Sequence, residues 1–131
     1  MMKRVYTASK LRHARMWIDL NNSVSGVFFH ARWLKHMKFG TPDDAGHAVE
    51  FWKEDIEDVK TADVVLVYAS EDDVIRGALV EAGAAIALGI PVVLAGDNES
   101  FGTWQYHPGV VYRTPMLHEA IDFIKNGGLG E

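Results

Sequence analysis

Two carboxylates, Glu81 and Asp55, are the residues whose type and placement could do chemistry. Glu81 lies in RGALVEAGAAIALGIP (residues 76–91), an alanine-rich run whose punctuation predicts a helix between Gly77 and Leu88. One helical turn away stand Gly77, Ala78, Ala84 and Ala85, none of them a counter-ion. In the first turns of a helix the dipole favours an ionised carboxylate, which suits a nucleophile better than a general acid. The small neighbours would leave room for a ligand. The plainer reading is a helix-start glutamate pointing at water. Asp55 lies in WKEDIEDVKTADVVLVY beside Glu54, Glu57 and Asp58, and taken alone it belongs to a solvated acidic face.

A second candidate region is TASKLRHAR (residues 7–15), which offers Ser9, Lys10, Arg12, His13 and Arg15. Hydroxyl, amide and basic donors together suit a phosphate, with Ser9 the first contact expected and Arg12 the second. A solvated helix face that complements the acidic remainder of the chain is the alternative. No GxGxxG, P-loop or GxSxG elbow is present. The six histidines form no HExxH and no pair that would hold a metal, so no metal site is expected. His30 could line a cleft. Trp104, Tyr106 and His107 could stack on a base or make an oligomer contact.

These residues need a scaffold, and the apolar pattern supplies one. Short β-rich runs alternate with helical patterns, which predicts a parallel α/β sheet. The strands are expected at Arg4–Ala8, Gly26–His30, Asp63–Tyr68, Ile90–Ala95 and Val110–Tyr112. A helix capped by TPDD at Thr41–Asp44 should run to about Lys60, burying Val49, Trp52, Ile56 and Val59. A second TP, at Thr114–Pro115, should open a last helix with Leu117, Ala120, Ile121 and Ile124 inward, stopped by Gly127 and Gly128. Asp97–Pro108 reads as a loop. The expected fold is a single-domain (1–131), three-layer flavodoxin/Rossmann-like α/β arrangement of about five parallel strands. Ligands in such folds sit beyond the C-terminal strand ends, where the strand order reverses.

Composition narrows the classes of function. Net charge is −5, against non-specific binding to a nucleic acid polymer. The charge is uneven: residues 1–40 hold eight Lys/Arg and one acid, and residues 41–131 hold five and seventeen. No run approaches the ~20 apolar residues of a membrane span, and the N-terminus lacks the apolar core of a secretory signal. There is no cysteine, hence no disulfide or thiolate site. A cytoplasmic protein without membrane association is the expectation.

The ordered set Asp55-IEDVKTA-Asp63-VVLVYA, then Gly77-ALV-Glu81-AGAAIALGIPVVLAG, resembles the nucleoside 2-deoxyribosyltransferase-like superfamily, which includes nucleotide N-glycoside hydrolases. The match covers residues 52–96 well and the first strand loosely. The resemblance implies that Glu81 is the nucleophile at the deoxyribose anomeric carbon and that Asp55 handles the leaving base or orients the sugar. It implies a structural role for Asp63, an active-site aromatic in Tyr6, no cofactor, a nucleoside or nucleotide substrate, and a homo-oligomer. Such N-glycosidic cleavage passes through an oxocarbenium-like state that a carboxylate stabilises or captures. Two residues before Gly77, where many transferases carry an aspartate, this chain has Ile75, and Asp73 is the nearest acid that could substitute. A non-catalytic nucleotide or nucleotide-sugar binding or sensor domain of the same fold is therefore the rival reading. A third is a flavodoxin-like interaction domain whose basic N-terminal stretch meets an acidic partner.

Overall fold

The computed structural model describes residues 2–34 and 45–130, so the capping signal at Thr41–Asp44 lies outside the described residues. Strands β1 (Lys3–Ala8), β2 (Val27–Phe29), β3 (Val64–Tyr68), β4 (Val92–Ala95) and β5 (Val110–Thr114) form one parallel sheet in the order β2-β1-β3-β4-β5. Four helices flank it: α1 (Ala14–Ser23), α2 (Ala45–Lys60), α3 (Gly77–Leu88) and α4 (Leu117–Lys125). The fold is the expected three-layer α/β arrangement with five parallel strands, and its strand order is the flavodoxin-like one.

The central strands are apolar because both sheet faces are covered. Val64, Val65, Leu66 and Val67 of β3 are fully buried, as are Val5 and Tyr6 of β1 and Val92 and Val93 of β4. β1 is the pivot: it pairs with β2 on one side and β3 on the other, Tyr6 lying against Val65. The chain leaves β1 and β3 in opposite directions across the sheet, so the crevice between the loops after them is the switch point. Right-handed crossovers put α2 and α3 together on one face and α1 on the other. At the end of β4, Gly96 takes φ 109°, and an added Cβ would lie 1.9 Å from the Ala69 carbonyl oxygen. Only glycine lets the β3 and β4 exits approach this closely.

Helix α3 spans the predicted residues and ends at Gly89, whose φ of 75° is left-handed. The strands depart from expectation by one or two residues at their ends: β4 starts at Val92 rather than Ile90, and β5 runs to Thr114 rather than Tyr112. Three expectations need larger correction. The stretch Asp97–Pro108 contains two 3-10 turns, Glu99–Phe101 and Thr103–Tyr106, the first anchored by the Asn98 side chain accepting from the Ser100 amide. The last helix starts at Leu117: the Thr114 hydroxyl accepts from Met116 N and donates to Glu119 upstream of the first turn. On α2, Val59 is buried and Ile56 half-buried, but Val49 and Trp52 are exposed. The helix is rolled so that Asp55 and Asp58 face inward, where partners satisfy both, and part of its apolar stripe faces outward.

Candidate functional site

Glu81 sits on the inner stripe of α3 with Ala78, Ala82 and Ala85, the i, i+3, i+4, i+7 pattern of a core-facing surface. It is 5% exposed. The three alanines let α3 lie close to the sheet, and Gly77 admits the Trp52 ring, which would stand 3.2 Å from an added Cβ. Glu81 therefore does not point at water. It projects between α3, α2 and β1.

Its partners come from those two other elements. The hydroxyl of Tyr6, a fully buried residue of β1, donates a hydrogen bond to Glu81 Oε2. Asp55, half-buried on α2, completes the group by a side-chain hydrogen bond to Glu81. Residues 26 and 49 positions away from Glu81 or Tyr6 in sequence thus meet as one cluster of two carboxyls and a phenol. A hydrogen bond between two carboxyl groups requires a proton on one of them.

The electrostatics follow from burial. Desolvation is the largest influence on Glu81, and the charge and hydrogen bond of Asp55 add to it, against the opposing Tyr6 donor. The Glu81 carboxyl is pushed up to about 8. Burial also raises the Tyr6 phenol far above its ordinary range, followed by the negative potentials of Glu81 and Asp55, so Tyr6 stays a donor. The expectation that the helix dipole keeps Glu81 ionised is thus corrected: desolvation outweighs the fraction of a charge at the helix N-terminus. The proton that the carboxyl–carboxyl hydrogen bond requires is thereby favoured on Glu81.

His30 and Asp58 border this cluster. His30 meets the Tyr6 ring edge-on at 6.3 Å between centroids, and its Nε2–H donates to the Asp58 carbonyl at 3.0 Å. Its Nδ1 is buried and without a partner among the described residues. The buried Asp58 carboxylate accepts from the Arg32 amide at 2.8 Å and from Arg32 Nε at 2.9 Å. This pins the exit of β2 to α2 and fixes the helix roll that brings Asp55 inward. The sequence pattern gave Asp58 no role beyond the acidic face.

The other candidates gather at the switch point as a separate group. Asp73, with a side chain fully shielded, accepts from the Ser70 amide at 2.8 Å, lies 2.8 Å from His13 Nε2 and pairs with the Arg12 guanidinium. Burial opposes the charge on Asp73, but the bonds from His13 and Ser70 prevail and hold its carboxyl at about 2. Arg12 also contacts Asp72 at 3.1 Å and Ser70 Oγ at 3.2 Å. Asn98 clamps the same loop, donating to the Ser70 and Asp73 carbonyls at 2.7 and 2.9 Å. Ser9 Oγ accepts from Trp17 Nε1 at 2.8 Å. Asp73 is thus committed to the loop after β1, and Ile75 is buried in the core. Asp63 anchors the start of β3 by accepting from the Arg4 amide at 2.8 Å. Trp104 donates to the Ser100 carbonyl, and the exposed Tyr106 ring lies under Arg113 at 5.1 Å.

Among the described residues no group of three His, Asp or Glu is arranged to hold a metal ion, and no helix is long and apolar enough to cross a membrane. No protein-family model matches the sequence, and a search of curated proteins finds no match.

Proposed function

We propose that this protein cleaves the N-glycosidic bond of a deoxynucleoside or its 5′-monophosphate, passing the deoxyribose to water or to another base. The observation that carries the reading is the buried Tyr6–Glu81–Asp55 cluster beside the switch point. Two carboxyls that share one proton supply what this reaction needs. As the C1′–N bond breaks, its electron pair stays on the base nitrogen, which takes the proton of the pair by way of Asp55 and leaves Glu81 as the anion. Glu81, kept charged by the Tyr6 donor as that proton leaves the pair, forms the C1′–O bond from the opposite side. Water or an acceptor base then attacks C1′, releases Glu81 and returns a proton to Asp55. Removing one such donor costs about 10²–10³ in rate in enzymes that stabilise developing charge this way.

The deoxynucleoside is the better-supported substrate. Ser9 and Arg12, the candidate phosphate contacts, are already engaged, and a phosphate would have to displace Asp72 and Asp73 from Arg12. The second reading, a binding or sensor domain without turnover, is favoured by the low exposure of Glu81 and by Ile75 in place of an acid. The two readings separate in one assay. A panel of deoxynucleosides and deoxynucleotides is incubated with wild type and with Glu81→Ala, and free base is measured by chromatography. Release by wild type that is lost in the variant supports catalysis. Equal release by both proteins removes Glu81 from the mechanism, and wild-type binding without release supports the sensor.

A further inference from the structure

Asparagine stands at positions 21, 22, 98 and 126, and at position 126 alone glycine follows it. Asn21 is locked on both sides: its carboxamide accepts from Phe29 N and donates to Phe29 O, each at 2.9 Å. Asn98 is buried, and its carboxamide donates to the Ser70 and Asp73 carbonyls. Asn22 lies inside α1, where the helix holds the backbone, and Ser23 follows it. Asn126 is exposed at the C-terminal end of α4. Neither its carboxamide nor the Gly127 N–H has a hydrogen-bond partner among the described residues. Gly127 takes a φ of 82°, and an added Cβ there would meet nothing within 4 Å.

We propose that Asn126–Gly127 is a self-modification site, where the asparagine loses ammonia and the backbone rearranges to isoaspartate. The Gly127 nitrogen gives up its proton and bonds to the side-chain carbonyl carbon of Asn126. The bond from that carbon to the carboxamide nitrogen breaks, and ammonia departs with the proton. The five-membered imide that results then takes up water at one of its two carbonyls. Opening at the side-chain carbonyl leaves aspartate; opening at the main-chain carbonyl leaves isoaspartate, with the chain routed through the side chain. Glycine favours the attack because no side chain crowds the nitrogen. The Asn126 Cα–C bond must turn from its ψ of 22°, and one hydrogen bond resists: Gly128 N donates to the Phe123 carbonyl at 2.9 Å, closing the last turn of α4. Fraying of that turn therefore sets the rate. Either product places a negative charge at the negative end of the α4 dipole. Isoaspartate also adds a backbone atom before Gly128, whose missing side chain makes room for the Phe123 ring. Phe123 stacks on Tyr112 of β5 at 4.2 Å, so the modification loosens the seat of α4 on the sheet. The inference does not depend on the glycosidic reading.

Peptide mapping by mass spectrometry tests it, on protein held warm at mildly alkaline pH, folded and in urea. The unfolded chain supplies the rate of an unrestrained Asn–Gly sequence. In the folded protein residue 126 is expected to gain one mass unit, mainly as isoaspartate. Its rate should lie within about tenfold of the unfolded one, because the single hydrogen bond that resists is worth that factor at most. Asn21, Asn22 and Asn98 should stay intact over the same period. A folded protein more than about tenfold slower would overturn the proposal. So would earlier loss of Asn21, Asn22 or Asn98, or aspartate at 126 without isoaspartate.

Discussion

Glu81 is a buried acid whose charge is opposed by desolvation and by Asp55. Its carboxyl titrates at about 8 in the folded protein against 4.5 as the ordinary value. Between those values the folded state holds a proton that the unfolded state has lost, so stability falls as pH rises. The Glu81 contribution is fully present below the unfolded value, declines through neutral pH and is gone above the folded one. Glu81→Gln keeps the shape and the acceptor for Tyr6 without the charge. Relative to wild type it should gain on the order of 4 kcal/mol of stability between pH 5 and pH 9, measured by urea unfolding. A constant difference across that range would show that Glu81 does not carry the buried proton. Glu81 was visible in the sequence as an oddity, but the plainer reading pointed it at water, and only the fold puts it on the inner Ala78–Ala82–Ala85 stripe. Its partners were not visible from periodicity, because Tyr6 and Asp55 reach it from other elements.

At the scale of elements, one side chain joins the loops after β1 and β3. Asp73 ties Arg12, His13 and Ser70 together across about sixty residues of chain. Its carboxyl is held below the ordinary 3.8, at about 2, so the folded state favours the anion. That stabilisation is present above the unfolded value and is lost as pH falls through the folded one. Asp73→Asn should cost about 2 kcal/mol at pH 7, and the cost should shrink to about 0.4 kcal/mol near pH 2, where half of the folded wild type is protonated. Urea unfolding of both proteins at the two pH values checks this. A cost that is unchanged at low pH would mean that packing, not charge, is what the substitution removes. Local patterns could not show this link: TASKLRHAR offered donors for a phosphate, and the acids that occupy them lie far along the chain. The same limit explains α2, where spacing marked an apolar stripe but could not show that a second, acidic side would be buried instead. Elements with strong punctuation were legible, as α3 between Arg76 and Gly89 shows.

For the whole molecule, the alternation of apolar strands and helices was enough to read the three-layer parallel fold. The strand order then places β1 beside β3 and sets α2 and α3 on one face, so that Tyr6, Asp55 and Glu81 converge. The central claim is that this convergence makes Glu81 a nucleophile. The direct test is to incubate the protein with each member of the deoxynucleoside panel, quench in acid and map the peptides by mass spectrometry. The account predicts one anhydro-deoxyribose unit on the peptide bearing Glu81, absent from Glu81→Gln and from samples chased with excess free base. Base release with no adduct on that peptide, or an adduct on another residue, would contradict it.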